Sequence, residues 1–397
     1  MNPLSERINN LAVSQTLAMA ALARELKAQG KDIISLSLGE PDFNTPDFIK
    51  EAAKKAIDEN YSTYSPVEGY LELKEAICKK FKRDNNLDYK PSQIVVSTGA
   101  KQSLYNIAQV MLNEGDEVIL PAPYWVSYYE IIKLSGGTPV EVPTSVESDF
   151  KITPAQLEAA ITPKTKMMWF SSPCNPSGSV YNREELTALA QVLEKYPNVY
   201  IVSDEIYEHI NFSGTFCSIA SIPGMLERTI TVNGVAKAFA MTGWRIGYTA
   251  GPKAAIQAMG RLQDHSTSNP TSISQKAALA ALQCDQQIVQ NMVKTFNQRR
   301  LLMIQLLNEI PDITFPAPQG AFYVFADFSS YFGRCFENQR IDTSQQLTEI
   351  LLEKALIAAV PGSAFGMEGY LRFSYATSEE SIEKGMTQLK NFLQNIT

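Results

Sequence analysis

Histidine is nearly absent from this chain, with His209 and His265 the two in 397 residues. A Ser-His-Asp triad or a histidine-rich metal centre is hard to assemble from so few. Each is read as an ordinary core or surface histidine. Cysteine is scarce too: Cys78, Cys174, Cys217, Cys284 and Cys335 make an odd, scattered set of five with no C-x-x-C pair. That excludes a disulfide framework and points to a reducing cytoplasm. The acids show no ligand-like spacing, so no metal is expected. Positive charge is in deficit, with a net charge of −7, which removes the basic footprint that nucleic acid requires. No apolar run approaches the ~18–20 residues of a membrane span. The opening Met-Asn-Pro-Leu-Ser-Glu-Arg has no apolar signal core, so neither membrane insertion nor export is expected. Repeats, low-complexity tracts and long linkers are also missing.

What is present is a large apolar fraction, 45%, enough for a sizeable core. Residues 16–29 have helical apolar spacing and stop at Gly30. Two more amphipathic helices are read over Pro46–Glu59 and Leu71–Arg83. Then short apolar runs alternate with helical stretches: Ile94–Gly99, Glu117–Ala122, Thr138–Pro143, Lys166–Pro173, Val199–Tyr207, Thr229–Val235 and Arg245–Gly251. Seven such strands imply an α/β fold with a mostly parallel sheet covered on both faces. The last two lie too close for a helical crossover, so one strand should be antiparallel. A long helix is expected near Leu282–Ile310. Beyond Pro311, strands at Ile313–Phe315, Ala321–Phe328, Ala358–Val360 and Tyr370–Tyr375, with a helix near Thr343–Lys354, describe a smaller α+β unit. The division expected is an N-terminal arm (1–45) packing with the small domain, a large domain (46–300) and a small C-terminal domain (301–397).

The run Thr229 to Tyr248 carries most of the chemistry. Lys237 sits among Ala, Val, Phe and Met, where lost hydration favours the neutral amine. A neutral amine attacks carbonyls and forms Schiff bases. Arg245, eight residues on, offers a permanent charge suited to phosphate. That pairing is what pyridoxal phosphate requires. A lysine snorkelling at a strand end accounts for the same residues equally well.

Other motifs fall at strand ends, where ligands of open α/β sheets lie. Gly99, Ala100 and Lys101 form a small-residue turn opening a helix, suited to phosphate but common in βα turns. Trp125, after Pro121-Ala-Pro-Tyr124, is either a stacking platform or a core tryptophan. Asn175, in Ser171-Ser-Pro-Cys-Asn-Pro-Ser-Gly178, is a donor or an ordinary Asn-Pro turn. Asp204 is either a solvated strand end or a buried acid in need of a cation. Asp204 and Tyr207 reach one ligand only if their strand ends near Glu205. Arg372, on an alternating strand, is a solvated arginine or a bidentate carboxylate fork.

The run Val235-Ala-Lys-Ala-Phe-Ala-Met-Thr-Gly-Trp-Arg-Ile-Gly247 resembles the cofactor-lysine signature of class I, fold type I pyridoxal-phosphate aminotransferases, nearest the bacterial aspartate branch. The likeness runs from Ser14 to about Glu380, with the motifs in order. It implies pyridoxal 5′-phosphate bound to Lys237. Gly99, Ala100, Lys101, Arg245 and the neighbouring subunit's counterpart of Tyr64 would hold the phosphate. Trp125 would stack on the ring, Asn175 and Tyr207 would bond its phenolate oxygen, and Asp204 would bond its nitrogen. Substrate would meet Arg372, Gly39, Asn175 and Trp125, with Ser14, Thr16 and Lys101 on a distal carboxylate. Ser14 and Thr16 also fit helix capping. A homodimer with shared active sites, acting on amino acids and 2-oxo acids, follows from the resemblance. So does transfer from L-aspartate to 2-oxoglutarate, with prephenate, aromatic or alanine specificity as the alternative. Three departures stand out. Gly234 replaces a common phosphate-binding serine, Cys174 a common asparagine, and Ala12 the lysine often seen in prephenate users. Two farther readings are a lyase on this fold and a cofactor-binding regulator, which would need a DNA-binding domain that does not precede Ser14.

Overall fold

The structure is a computed structural model that describes residues 3–13 and 15–397; Ser14 lies outside the described residues. Seven strands form the main sheet: β1 (Ile94–Ser97), β2 (Glu117–Ala122), β3 (Thr138–Pro143), β4 (Thr165–Ser171), β5 (Tyr200–Asp204), β6 (Thr229–Gly234) and β7 (Gly247–Ala250). Their order is β1-β7-β6-β5-β4-β2-β3. Only β7 runs against its neighbours, pairing antiparallel with both β6 and β1. The reason is the short connection from Gly234 to Gly247, which holds one 3₁₀ turn at Thr242–Trp244 and no crossover helix.

Both faces of this sheet are covered, so its strands read as apolar runs rather than as alternation. On one face Val95, Leu120, Val202 and Val232 pack with Leu104 and Ile107 of the helix Ala100–Met111. On the other, Ile119, Met168 and Ile201 pack with Leu186 and Leu189 of the helix Arg183–Glu194. A second sheet is antiparallel, with β8 (Tyr323–Asp327), β9 (Val360–Pro361) and β10 (Tyr370–Ser374) in the order β9-β10-β8. Its core joins Val324, Leu371 and Phe373 to Phe296 and Met303 and to Ile382 and Met386 of the last helix.

The N-terminal segment is stitched into this second region. Ile34–Ser35 pairs in parallel with Ile357–Ala358. The Leu36 amide donates to Ala358 and its carbonyl accepts from Ser374, at 2.9 and 2.7 Å.

The long helix expected near Leu282–Ile310 is Gln286–Leu307, capped by Asp285, whose carboxylate accepts from the Gln287 amide at 2.9 Å. Three local expectations differ. Ile313–Phe315 is reduced to a single bridge, Thr314 with Asp327. The strand expected at Ala358–Val360 is split. Ile357–Ala358 pairs with the N-terminal segment, and Val360–Pro361 turns to β10. The strand expected over Val199–Tyr207 stops at Asp204, followed by turn structure.

Candidate active site

The carboxyl ends of β4, β5 and β6 open into a cavity of about 460 Å³, closed from the other side by Tyr323, Arg372 and the helix Gln15–Ala28. Lys237 lies in the loop after β6, and its Nζ donates to the Gly39 carbonyl at 2.5 Å. Desolvation brings its pKa down to about 8, aided by the nearby Arg372 and Arg245 charges and opposed by Glu40 and Asp204. At pH 8 about half of such an amine is neutral, against well under ~1% for an ordinary lysine. Acetic anhydride on the protein alone should therefore label Lys237 with a half-maximal rate near pH 8, read by peptide mass spectrometry. A midpoint above pH 10 would show that the amine is fully hydrated.

Because β5 ends at Asp204, the chain turns before Tyr207 and both side chains line the same cavity. Asp204 is buried. Its carboxylate accepts from the Tyr128 hydroxyl at 2.7 Å and from the Ile206 amide at 3.2 Å. Burial lifts its pKa to about 6 despite these bonds. A cation brought against it would restore full ionisation. Tyr128 is held edge-on between Trp125 and Trp169, with centroids 5.5 and 5.8 Å away. The Tyr207 hydroxyl shares a 2.7 Å bond with that of Tyr323.

Arg372 is 3% exposed. It pairs across the sheet with Phe325, which turns its guanidinium onto the Tyr323 ring (4.4 Å) and the Phe365 ring (5.1 Å). It donates to the Asn175 side-chain oxygen at 2.9 Å and to the Ser37 carbonyl at 2.6 Å. Its Nε has no partner among the described residues. A buried guanidinium with a spare donor is poised for an anion.

At the other end of the cavity, Gly99 caps the helix Ala100–Met111 with φ +83°. A Cβ at Gly99 would collide with the Arg245 guanidinium, and one at Gly247 would collide with the Gly99–Ala100 backbone. Two glycines thus let a helix N-terminus, its dipole and an arginine converge. Gly234 is packed too closely for a side chain to enter freely, with an added Cβ 3.0 Å from the Ile246 carbonyl. Lys101 lies over the Trp125 ring at 4.9 Å. Its pKa is lowered by desolvation and then by Arg245.

Of the residues the sequence singled out, Lys237, Ala100, Lys101, Trp125, Asn175, Asp204, Tyr207, Arg245, Thr16, Gly39 and Arg372 line this one cavity, and Gly99 adjoins it. Tyr64 does not reach it. That side chain is 91% exposed on its own subunit. Sequence reasoning missed Tyr128, Tyr323, Ser37, Glu40 and Arg24. Tyr128 stands three residues past Trp125, a spacing that offered a signal; Tyr323 offered only its place on an apolar strand.

Away from the cavity, the described residues include one group with metal-like geometry, Asp84, Glu208 and His209. Glu208 there is already ion-paired with the buried Lys80, so its charge is met. Among the described residues no helix is long and apolar enough to cross a membrane.

The family description "Aminotransferase class I and II" matches residues 31–389. The chain is 49% identical over 397 residues to the aspartate/prephenate aminotransferase of Cereibacter sphaeroides, covering 99% of each. It superposes on the aspartate aminotransferase from Rhizobium meliloti with a TM-score of 0.96 at 42% identity, covering 100% of both chains. It superposes on the Thermus thermophilus aspartate aminotransferase with maleate with a TM-score of 0.92 at 42% identity, covering 99% of this chain and 100% of that one.

Proposed function

The chain belongs to the class I and II aminotransferases, and on that premise we propose that it transfers the amino group of L-aspartate to 2-oxoglutarate, yielding oxaloacetate and L-glutamate. The observation that carries this reading is the shared cavity of a desolvated lysine, a buried acid and a buried arginine with an unpaired donor. These residues fit pyridoxal 5′-phosphate. The Gly99 turn with Arg245 suits its phosphate, Trp125 its ring, Asp204 its protonated nitrogen, and Asn175 and Tyr207 its phenolate oxygen. When bound, the cofactor supplies an electron sink for the carbanion.

The protein's own residues supply the rest. Lys237 would hold the cofactor's aldehyde carbon and, as a free amine, would carry the proton to and from the substrate Cα. Asp204, kept from water, stabilises positive charge on the ring nitrogen. Arg372 grips the α-carboxylate, and the Gly39 backbone closes the substrate side. Thr16 and Lys101 are assigned to the distal carboxylate; Ser14 is assigned the same role. A panel of amino acids in the half-reaction, followed by the cofactor spectrum, tests the reading. Aspartate and glutamate are expected to convert the spectrum fastest. A panel led by alanine or phenylalanine overturns the aspartate assignment. Prephenate is the second reading, favoured by the name of the Cereibacter relative. Ala12, in place of a lysine, ranks it behind aspartate.

We assign the protein to a homodimer with shared sites, because Tyr64 is 91% exposed and does not line its own subunit's cavity. Tyr64→Phe and Lys237→Ala chains, each impaired, should regain activity when reassembled as mixed dimers. Confirmed heterodimers without any gain would place Tyr64 in its own subunit. Boundaries near residues 45 and 300 remain our division of the chain; limited proteolysis that cuts elsewhere would move them. The cytoplasm remains our assignment on the five free cysteines, to be checked by fractionation.

A further inference from the structure

The cavity is lined by five cationic side chains, Arg24, Lys101, Lys237, Arg245 and Arg372, against two acids, Glu40 and Asp204. Within the proposed function, Lys237, Arg245 and Arg372 each have a task on the cofactor or on the α-carboxylate. Asp204 is bound by Tyr128, and Glu40 accepts from Thr242 at 2.9 Å. One distal carboxylate then faces two remaining cations, Lys101 and Arg24.

Arg24 is on the helix Gln15–Ala28, where Thr16, Ala20 and Arg24 all line the cavity. Their spacing of four residues puts them on one helical face. Met19 and Ala23 on the adjoining face are buried against Ile33, Leu352 and Ala358, which fixes how that face is turned. Ala20, one turn before Arg24, leaves that stretch of the wall shallow. Arg24 itself is exposed and, among the described residues, has no hydrogen bond or ion pair. The adjacent acid is engaged elsewhere, since Glu25 accepts from Gln29 at 3.5 Å. Lys101 lines the same cavity from the start of the helix that follows β1.

We infer that Arg24 is a specificity-determining residue that receives the side-chain carboxylate of dicarboxylic substrates, sharing it with Lys101. The inference rests on the aminotransferase reading above. An arginine and a lysine lining one cavity give a second carboxylate charge-assisted bonds that a neutral or aromatic side chain cannot make.

The test uses the holoenzyme and the variants Arg24→Gln and Arg24→Lys. For Arg24→Gln, kcat/KM for aspartate and glutamate should fall roughly tenfold, and for phenylalanine by less than about threefold. Calorimetry should show succinate, a dicarboxylate, losing affinity by a similar factor, with butyrate, a monocarboxylate, little changed. Arg24→Lys should recover part of both losses. Equal losses for all substrates, or none, with wild-type preference for dicarboxylates intact, overturn the inference alone. A wild-type enzyme that binds succinate no better than butyrate overturns the inference and the aspartate reading together.

Discussion

Lys237→Ala is expected to lower turnover by roughly four orders of magnitude or more, because it removes both the covalent attachment point and the proton carrier. Four orders correspond to about 5.5 kcal/mol of lost transition-state stabilisation. Borohydride treatment followed by denaturation should leave no cofactor on the variant protein, whereas the parent should retain it on the peptide containing Lys237. Added methylamine should restore a small, concentration-dependent rate, since the cavity that holds the lysine side chain remains open to an amine. Lys237→Arg should do no better than alanine, because a guanidinium stays protonated and cannot accept the proton. A parent adduct mapped to any other lysine would end the assignment.

The second large effect is expected at Arg372. Its alanine variant should lose roughly 2–5 kcal/mol in kcat/KM, the range for deleting one partner of a buried charged pair. The loss should appear for every amino acid, dicarboxylic or not, because the α-carboxylate is common to all. Cofactor should still be retained, because the side chain bonds Asn175 and Ser37 and not the Gly99 turn. Arg372→Lys should recover only part, since a point charge cannot span two oxygens in one plane. Removing a side chain packed between Tyr323 and Phe365 also lowers stability, so melting temperature needs to be measured beside kinetics. Unchanged kcat/KM in a folded Arg372→Ala protein would move the carboxylate site elsewhere.

The sheet was legible because its strands are buried on both faces and therefore appear as separate apolar runs. Even the direction of β7 followed from the length of the loop before it. Lys237 was legible by its neighbours, and Arg245 by its distance from Lys237. Tyr128 and Tyr323 were harder, because their hydroxyls meet Asp204 and Tyr207 only through tertiary packing. The long helix near Leu282–Ile310 was legible by its period, and its start is set locally, where Asp285 serves as a cap rather than as a helical residue. The pairing of Ile34 with Ile357 has no local signature at all, since neither two-residue strand carries a period.

That last pairing bears on the order in which the molecule assembles. The strand that receives Ile34 and Ser35 comes from near the far end of the chain. During synthesis the N-terminal segment must wait for it, and closing so long a loop is slow compared with forming the βα units in between. Ser37 and Gly39, which set the carbonyls facing Arg372 and Lys237, follow directly on that strand. The main sheet, with its lysine and its phosphate turn, is therefore built while the substrate side is still unanchored. Competence to bind an amino acid arrives with the final stretch of polypeptide, so a nascent or truncated chain holds Lys237 without the groups that orient a substrate toward it.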